Sequence, residues 1–510
     1  MARAFAAPVL SERLYAARWC YVFMLPSFGL AILFTFWPIA ASWYFSLLDW
    51  SGFSDERPYI GLANYVELIG DPYFWQAFGR SFLFMAVTVP VRLTLALIVA
   101  IVLNDAALRL APLFRTLFFL PVVTTSAIVG LLMVFVLSPF NGPVNQALVA
   151  SVLRQRGHGG LHLPQRLFGS GRNPAARVCL SGGSPVRPDR YAYRADPGEG
   201  VALGAPGARR RRIAAVRVSA TTSSLTLQRR FAVGWLRGSR LRATITSLIL
   251  GAICLVWTYP FLWMVSAALK TNVQVASGAG LIPPSPQWGN FERAWTQAHI
   301  GQYFTNTVII TVSTVAIVVA TTAMMGYALG RYDYPGRKIV LALYAATIFI
   351  PEGYTIIPVF DLINRLHLND TLFGIILAEA GGAHVIFVLL FAGFFSQLPH
   401  ELEEAAIVDG AGFVRTFARV MLPLSGPVIA TTIILQFMSS WNNFMLPLVL
   451  TLSRPELRTL GVGMFAFQGQ YYSDWSGMAA AATISLLPII GVFLALQRHF
   501  VEGIAGAIKQ

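Results

Sequence analysis

Runs of roughly twenty or more apolar residues recur along this chain, and runs of that length leave few folds open. In hydrocarbon, every backbone N–H and C=O must be satisfied within the chain, so such runs become helices. They fall at Cys20–Leu47, Ser81–Leu103 (carrying Arg92) and Thr116–Leu137, then at Ala243–Leu269, Phe304–Gly330, Ile339–Phe360, Leu372–Phe395, Pro427–Val449 and Met478–Leu496. The expectation is an all-α, polytopic membrane protein with about nine spans. A composition 56% hydrophobic and 12% charged is far from a soluble domain's balance. The first run is too long for a signal-peptide core and reads as a retained signal-anchor. Cys20, Cys179 and Cys254 form neither a disulfide framework nor a metal-ligand spacing.

Basic residues orient the spans, because loops rich in Arg and Lys stay in the cytoplasm. Arg3, Arg13 and Arg18 precede the first span, while Asp49, Asp55, Glu56, Glu67 and Asp71 outweigh Arg57 after it. That places the N-terminus inside. Arg229, Arg230, Arg237, Arg240 and Arg242 put the start of the second part inside as well. Counting onward, Arg331, Arg337 and Lys338, the loop around Glu404, and finally Arg498 and Lys509 all fall inside. One conflict stands out. Three spans from an inside N-terminus leave residue 150 outside, yet residue 229 must be inside, and residues 154–228 hold no apolar run to cross back.

The composition of that stretch is itself informative. Arg154–Arg212 contains twelve arginines, no lysine and three acids, Asp189, Asp196 and Glu199. By charge alone the run Arg209–Arg212 suits anionic lipid or nucleic acid. A disordered linker that cannot bury enough apolar surface to fold is another reading. A third is a reading-frame shift in a GC-rich gene, replacing membrane spans with Arg/Gly/Pro-rich text. It accounts for the composition and the topology conflict together, and no nucleic-acid partner is then expected.

A short polar segment between two spans has a different character. Leu402–Val408 suits a short helix in which Ala405 and Ala406 offer a close-packing face, since alanine loses little freedom there. Asp409-Gly410 breaks it, because glycine accepts turn dihedrals that other residues resist. Phe413, Phe417 and Val420 recur at helical spacing toward Leu422-Pro423, where the next span begins. Such a helix-turn-helix, with exposed acids and aromatics, can plug into a groove on a soluble partner; an interfacial helix resting on headgroups is the plainer alternative. The pattern Glu404-Ala405-Ala406, Gly410, Leu422-Pro423 resembles the coupling loop of ABC importer permeases, with Val420 where that pattern prefers Ile. The resemblance implies that Glu404, Ala405, Ala406, Asp409, Gly410, Phe413, Phe417, Leu422 and Pro423, within a loop over residues 397–423, carry contact with an ATPase.

The resemblance extends further. Asn64-Tyr65 with Phe119-Leu120-Pro121, and Asn290-Phe291 with Phe349-Ile350-Pro351, occur in the same order at near-equal spacing, as in a parallel duplication. Residues 18–153 resemble the start of a first permease subunit of carbohydrate ABC importers, on Phe23-Met24-Leu25-Pro26, Leu48-Asp49-Trp50, Gly61-Leu62-Ala63-Asn64-Tyr65 and Leu103-Asn104. Residues 235–510 resemble a complete second subunit, adding Trp441-Asn442-Asn443-Phe444, Asp474-Trp475 and Gln497-Arg498-His499-Phe500-Val501. The implied organisation is a truncated three-span module, the 154–228 segment, and a complete module with the six-helix core of a type I ABC importer permease. The first module lacks a Glu-Ala-Ala loop and its last three spans, so the chain by itself is not expected to enclose a pathway.

No G-x-x-x-x-G-K-[ST] phosphate loop occurs, so energy must come from elsewhere. The resemblance implies an ABC ATPase dimer, an extracytoplasmic solute-binding protein and an intact partner permease, with a sugar as solute. It also implies a bacterial cytoplasmic membrane location with both termini inside. No enzyme site and no cofactor are expected. Asn442 and Asn443 are the candidate pathway residues, because amides are costly in hydrocarbon and bond sugar hydroxyls. Their alternative is a helix–helix hydrogen bond worth about 0.6 kcal/mol. Relatives of this family often have an acid where Asn443 stands. An ion-coupled secondary transporter, for which Arg92, Glu352 and Glu379 could serve, does not need the coupling loop. An ABC permease for a non-sugar solute also stays open, whereas an enzyme acting on lipid-linked sugars would need an acidic catalytic loop that is not found.

Overall fold

A computed structural model describes residues 17–50, 56–103, 114, 118, 240–277, 280–351, 353–467 and 474–508. Within those residues the fold is helical, with one isolated β-bridge, Leu48 to Tyr59. The expected 154–228 segment, the run Thr116–Leu137 (apart from Phe118) and Glu352 lie outside them. The chain divides into two compact units, Met1–Gln146 with Leu248–Gln510, and Ala147–Ser247. Of the second unit, the described part is residues 240–247, where a long helix begins.

The first span is α1 (Arg18–Ala31), a π-turn over Ile32–Phe36 and α2 (Trp37–Phe45). The π-turn lies just ahead of Pro38, whose missing N–H interrupts the i→i−4 ladder. Then come α3 (Ala63–Gly70) and α4 (Pro72–Leu103). The last turn of α4 packs Leu103 with Leu250 and Cys254 of α5 (Arg240–Ala268).

α6 (Ile300–Arg331) is the central element, touching α1 and several helices that follow it. Next come α7 (Arg337–Thr347) and α8 (Ile356–Arg365), then α9 (Leu372–Ala380) and α10 (Val385–Gln397). The short α11 (Glu401–Val408) and α12 (Phe413–Thr416) precede α13 (Gly426–Trp441), α14 (Met445–Leu450) and α15 (Trp475–Ile508). Among the described residues, five helices are long and apolar enough to cross a membrane, and seven segments qualify if each bent pair counts as one span.

Three expected spans are interrupted. Ile339–Phe360 is not continuous: α7 ends at Thr347, and Pro351 with Gly353 at φ 87° carry the chain to the amphipathic α8. Leu372–Phe395 is broken at Gly381–His384, where the two halves meet at 52° and His384 adopts φ 43°. Pro427–Val449 stops at Trp441 and resumes at Met445. Mean hydropathy does not register these breaks, because the breaking residues are few and their neighbours remain apolar.

Close approach at the centre follows from glycine. Gly326 and Gly330, one turn apart on α6, face Phe391 and Ala392 of α10, and a Cβ at either position would collide with them. Small residues at this spacing let helix backbones meet where lipid offers no hydrophobic drive. Phe34, from the π-turn of the first span, fills the space beside Gly381 at the α9–α10 break. Arg57 then ties that N-terminal segment to α8. Its Nη2 reaches Asp361 Oδ1 at 2.8 Å, Arg365 Nε reaches Oδ2 at 2.7 Å, and its guanidinium lies 4.1 Å over the Trp50 ring.

Candidate functional site: a coupling loop and a polar break

α11 presents two faces with different chemistry. Glu404, Ala405, Asp409 and Gly410 are exposed, as are Ile407 and Val408, the latter 86% accessible. Glu403 and Ala406 point the other way and are buried. Glu401, Glu403 and Glu404 all lie in the first turn, where carboxylates favour the positive end of the helix dipole. Gly410 closes the helix at φ 78°, and no atom would crowd a Cβ there. Glycine is therefore required by its dihedrals alone.

The buried face is anchored by an arginine. Arg331, the last residue of α6, is 1% exposed at its side chain, and its Nε meets Glu403 Oε2 at 2.7 Å. Its other nitrogens donate to the carbonyl oxygens of Phe395 (3.4 Å), Leu398 and Pro399 (2.8 Å), at the open C-terminal end of α10. Tyr327 and Tyr332 donate their hydroxyls to Glu403 Oε1 at 2.6 and 3.2 Å. Burial pushes the Tyr332 phenol up to about 12, with the Glu403 charge adding to the rise, so it stays a neutral donor. Breaking a buried ion pair of this kind costs about 3–5 kcal/mol.

The expectation of exposed aromatics is corrected here. Phe417 is buried, with Phe23 at 5.0 Å and Tyr327 at 5.1 Å between ring centroids. Phe413 packs on Phe23 at 4.8 Å and Tyr332 at 5.2 Å. A π-turn over Phe417–Met421 keeps both rings on the face toward α1 and α6. Leu422 is half-buried and Pro423 exposed. The exposed apolar tip is instead the aliphatic pair Ile407 and Val408, whose position just before the Asp-Gly break was the available signal.

A second polar site lies where two helices break. Asn443 follows the end of α13 and donates from Nδ2 to Glu379 Oε1 at 3.0 Å; Ser440 Oγ donates to Glu379 Oε2. Glu379 belongs to the last turn of α9, and the His384 ring meets its carbonyl oxygen at 3.2 Å. Asn442 caps α13 through its backbone N–H to Met438. The structure thus brings Asn443 together with Glu379. Glu403 and Arg331 went unrecognised from sequence, because one acid in a Glu-Glu pair cannot be told from the other before the helix is docked.

Residues 231–506 match the family described as binding-protein-dependent transport system inner membrane component. The chain is 32% identical over 264 residues to a diacetylchitobiose uptake system permease protein of Streptomyces coelicolor, covering 51% of this chain and 86% of that one. It is 31% identical over 252 residues to a melibiose/raffinose/stachyose import permease protein of Bacillus subtilis, covering 49% and 91%. A crystal structure of a bacterial ABC transporter involved in import of the acidic polysaccharide alginate aligns with a TM-score of 0.47 at 25% identity, covering 52% of this chain and 99% of that chain.

Proposed function

The chain belongs to the binding-protein-dependent transport system inner membrane components and is a multi-pass permease of an ABC importer, and on that premise we propose that its solute is a saccharide. Support comes from the relatives named for diacetylchitobiose and for melibiose, raffinose and stachyose. ATP hydrolysis belongs to a separate ABC ATPase dimer, and solute arrives from an extracytoplasmic binding protein. Glu404, Ala405, Asp409 and Gly410, with Ile407 and Val408 between them, form the surface offered to the ATPase. Ala406, Phe413, Phe417, Leu422 and Pro423 hold that surface in place. The loop and both termini are cytoplasmic.

The observation that carries this reading is the two-faced α11: a solvent-facing tip of acids and bare aliphatics on a helix whose other face is locked by Arg331. A helix packed only on lipid headgroups has no use for that lock. Asn443, with Glu379 and Ser440, lines the solute path at the broken ends of α9 and α13. The modules are residues 18–153, truncated, and 235–510, complete, separated by a frame-shifted stretch, so an intact partner permease completes the pathway. If DNA covering residues 150–230 encodes three apolar spans and a second Glu-Ala-Ala loop in a shifted frame, that account is supported.

Reconstitution tests the function. Vesicles containing this chain, a partner permease, the ATPase and the binding protein should take up labelled oligosaccharide only when ATP is supplied. Uptake driven by a proton or sodium gradient without ATP would instead identify a secondary transporter.

A further inference from the structure

Two routes lead from α11 into the membrane. The covalent route runs through α12, the π-turn at Phe417–Met421 and a 77° bend between Phe413–Leu424 and Gly426–Trp441. The backbone on this route is thus not one continuous helix: it is bulged at the π-turn and bent again before α13. The other route is non-covalent. One guanidinium, that of Arg331, holds Glu403 of α11 and three carbonyl oxygens at the end of α10, and it is itself the end of α6. Just above it, Gly326 and Gly330 press α6 against Phe391 and Ala392 of α10 with no room for a side chain. Tyr327, one turn before Arg331, adds a second bond from α6 to Glu403.

We propose that Arg331 and Glu403 are positioning residues that join α6, α10 and the coupling helix α11 into one rigid body, so that displacement of the exposed tip enters the membrane through α6 and α10 rather than along the chain into α13. This rests on the coupling-loop reading above. The arrangement gives the adjacent acids different work: Glu404 meets the ATPase, and Glu403 transmits what happens there. It also accounts for an arginine buried at the end of a span. A positive-inside marker needs only charge in the cytoplasm, whereas this one spends its donors on two other helices.

The test measures the distance between Thr305→Cys, on the far half of α6, and Val408→Cys, at the tip of α11, by spin labelling. The full chain is used in lipid nanodiscs, with Cys20, Cys179 and Cys254 replaced by Ser. The parent should show one narrow distribution. Glu403→Gln and Arg331→Met should widen it at least twofold, Arg331→Lys should fall between, and Glu404→Gln should leave it unchanged. Should Arg331→Met fail to insert, Tyr327→Phe removes one bond to Glu403 and should widen the distribution measurably. Unaltered widths in both Glu403→Gln and Tyr327→Phe would overturn the proposal. In unlabelled reconstituted importer, Glu403→Gln should lower solute moved per ATP at least fivefold while the ATPase stays bound and active. A proportional fall in both rates would mark a merely structural contact and count against it. If the distances respond as expected but the parent shows no ATP-driven saccharide uptake, the importer reading fails and the rigid tie is supported.

Discussion

α4 and α6 are both 32 residues long, with mean hydropathy 2.4 and 2.2 over their most apolar windows, yet none of that window is buried in α4 and 44% is in α6. By apolarity they are interchangeable. What differs is one face. α6 buries Asn306, Thr307, Thr311, Thr314, Thr322 and Gly326 against its neighbours. α4 carries Phe82, Leu83, Phe84, Leu93, Leu95 and Leu97 exposed around its circumference. Hydropathy decides whether a helix enters a bilayer, while small and polar residues on a face decide what it packs against once there. On the frame-shift proposal, α4 is a helix whose partners are missing from the translated text.

The comparison can be broken most forcefully at its glycines. Gly330→Leu on α6 should destabilise by the upper end of the roughly 1–3 kcal/mol that overpacking costs, because the backbone of Ala392 stands in the way. Gly79→Leu on α4 meets nothing within 4 Å and should change stability by less than about 0.5 kcal/mol. Thermal unfolding in one detergent would compare them, and equal losses would show that α4 is packed after all. Arg92 sharpens the point with the opposite sign. On the exposed α4, if it faces lipid, an arginine costs about 2.5–3.5 kcal/mol near a helix centre, so Arg92→Leu should improve insertion by a comparable amount. Impaired insertion or folding would reveal a protein partner for it.

Smaller effects belong to the polar sites. Replacing Ser440 by Ala and Asn443 by Leu together leaves the Glu379 carboxyl without these two donors, at about 1–3 kcal/mol. Uptake should fall, and a binding assay with excess saccharide should show weakened affinity if these groups line the path. Gly410→Val should cost about 1–2 kcal/mol from its left-handed backbone, with uptake lowered and membrane insertion intact. Normal uptake in that variant would remove Gly410 from the coupling surface.

Much of this was legible before any coordinates. The turn at Gly410, the short helix before it and the positions of most spans follow from glycine's freedom and from apolar run length, which are local properties. The breaks within Ile339–Phe360, Leu372–Phe395 and Pro427–Val449 do not follow from the sequence alone, although Pro351, Gly381-Gly382 and Asn442-Asn443 stand at them. A proline or glycine in an apolar run is compatible with either a kinked span or an interrupted one, and packing chooses between them. Phe413 and Phe417 mark the same limit: helical spacing placed them on a common face without saying which way that face turned.

The chain's own sequence therefore settled membrane residence and helical class, because each rests on the solvation of a stretch of residues considered alone. Only the tertiary structure separated Glu403 from Glu404 and joined Arg331 to the end of another helix. Adjacent residues in a short helix have nearly the same local propensities, and burial by a distant segment is what makes one a fixed ion pair and leaves the other facing water.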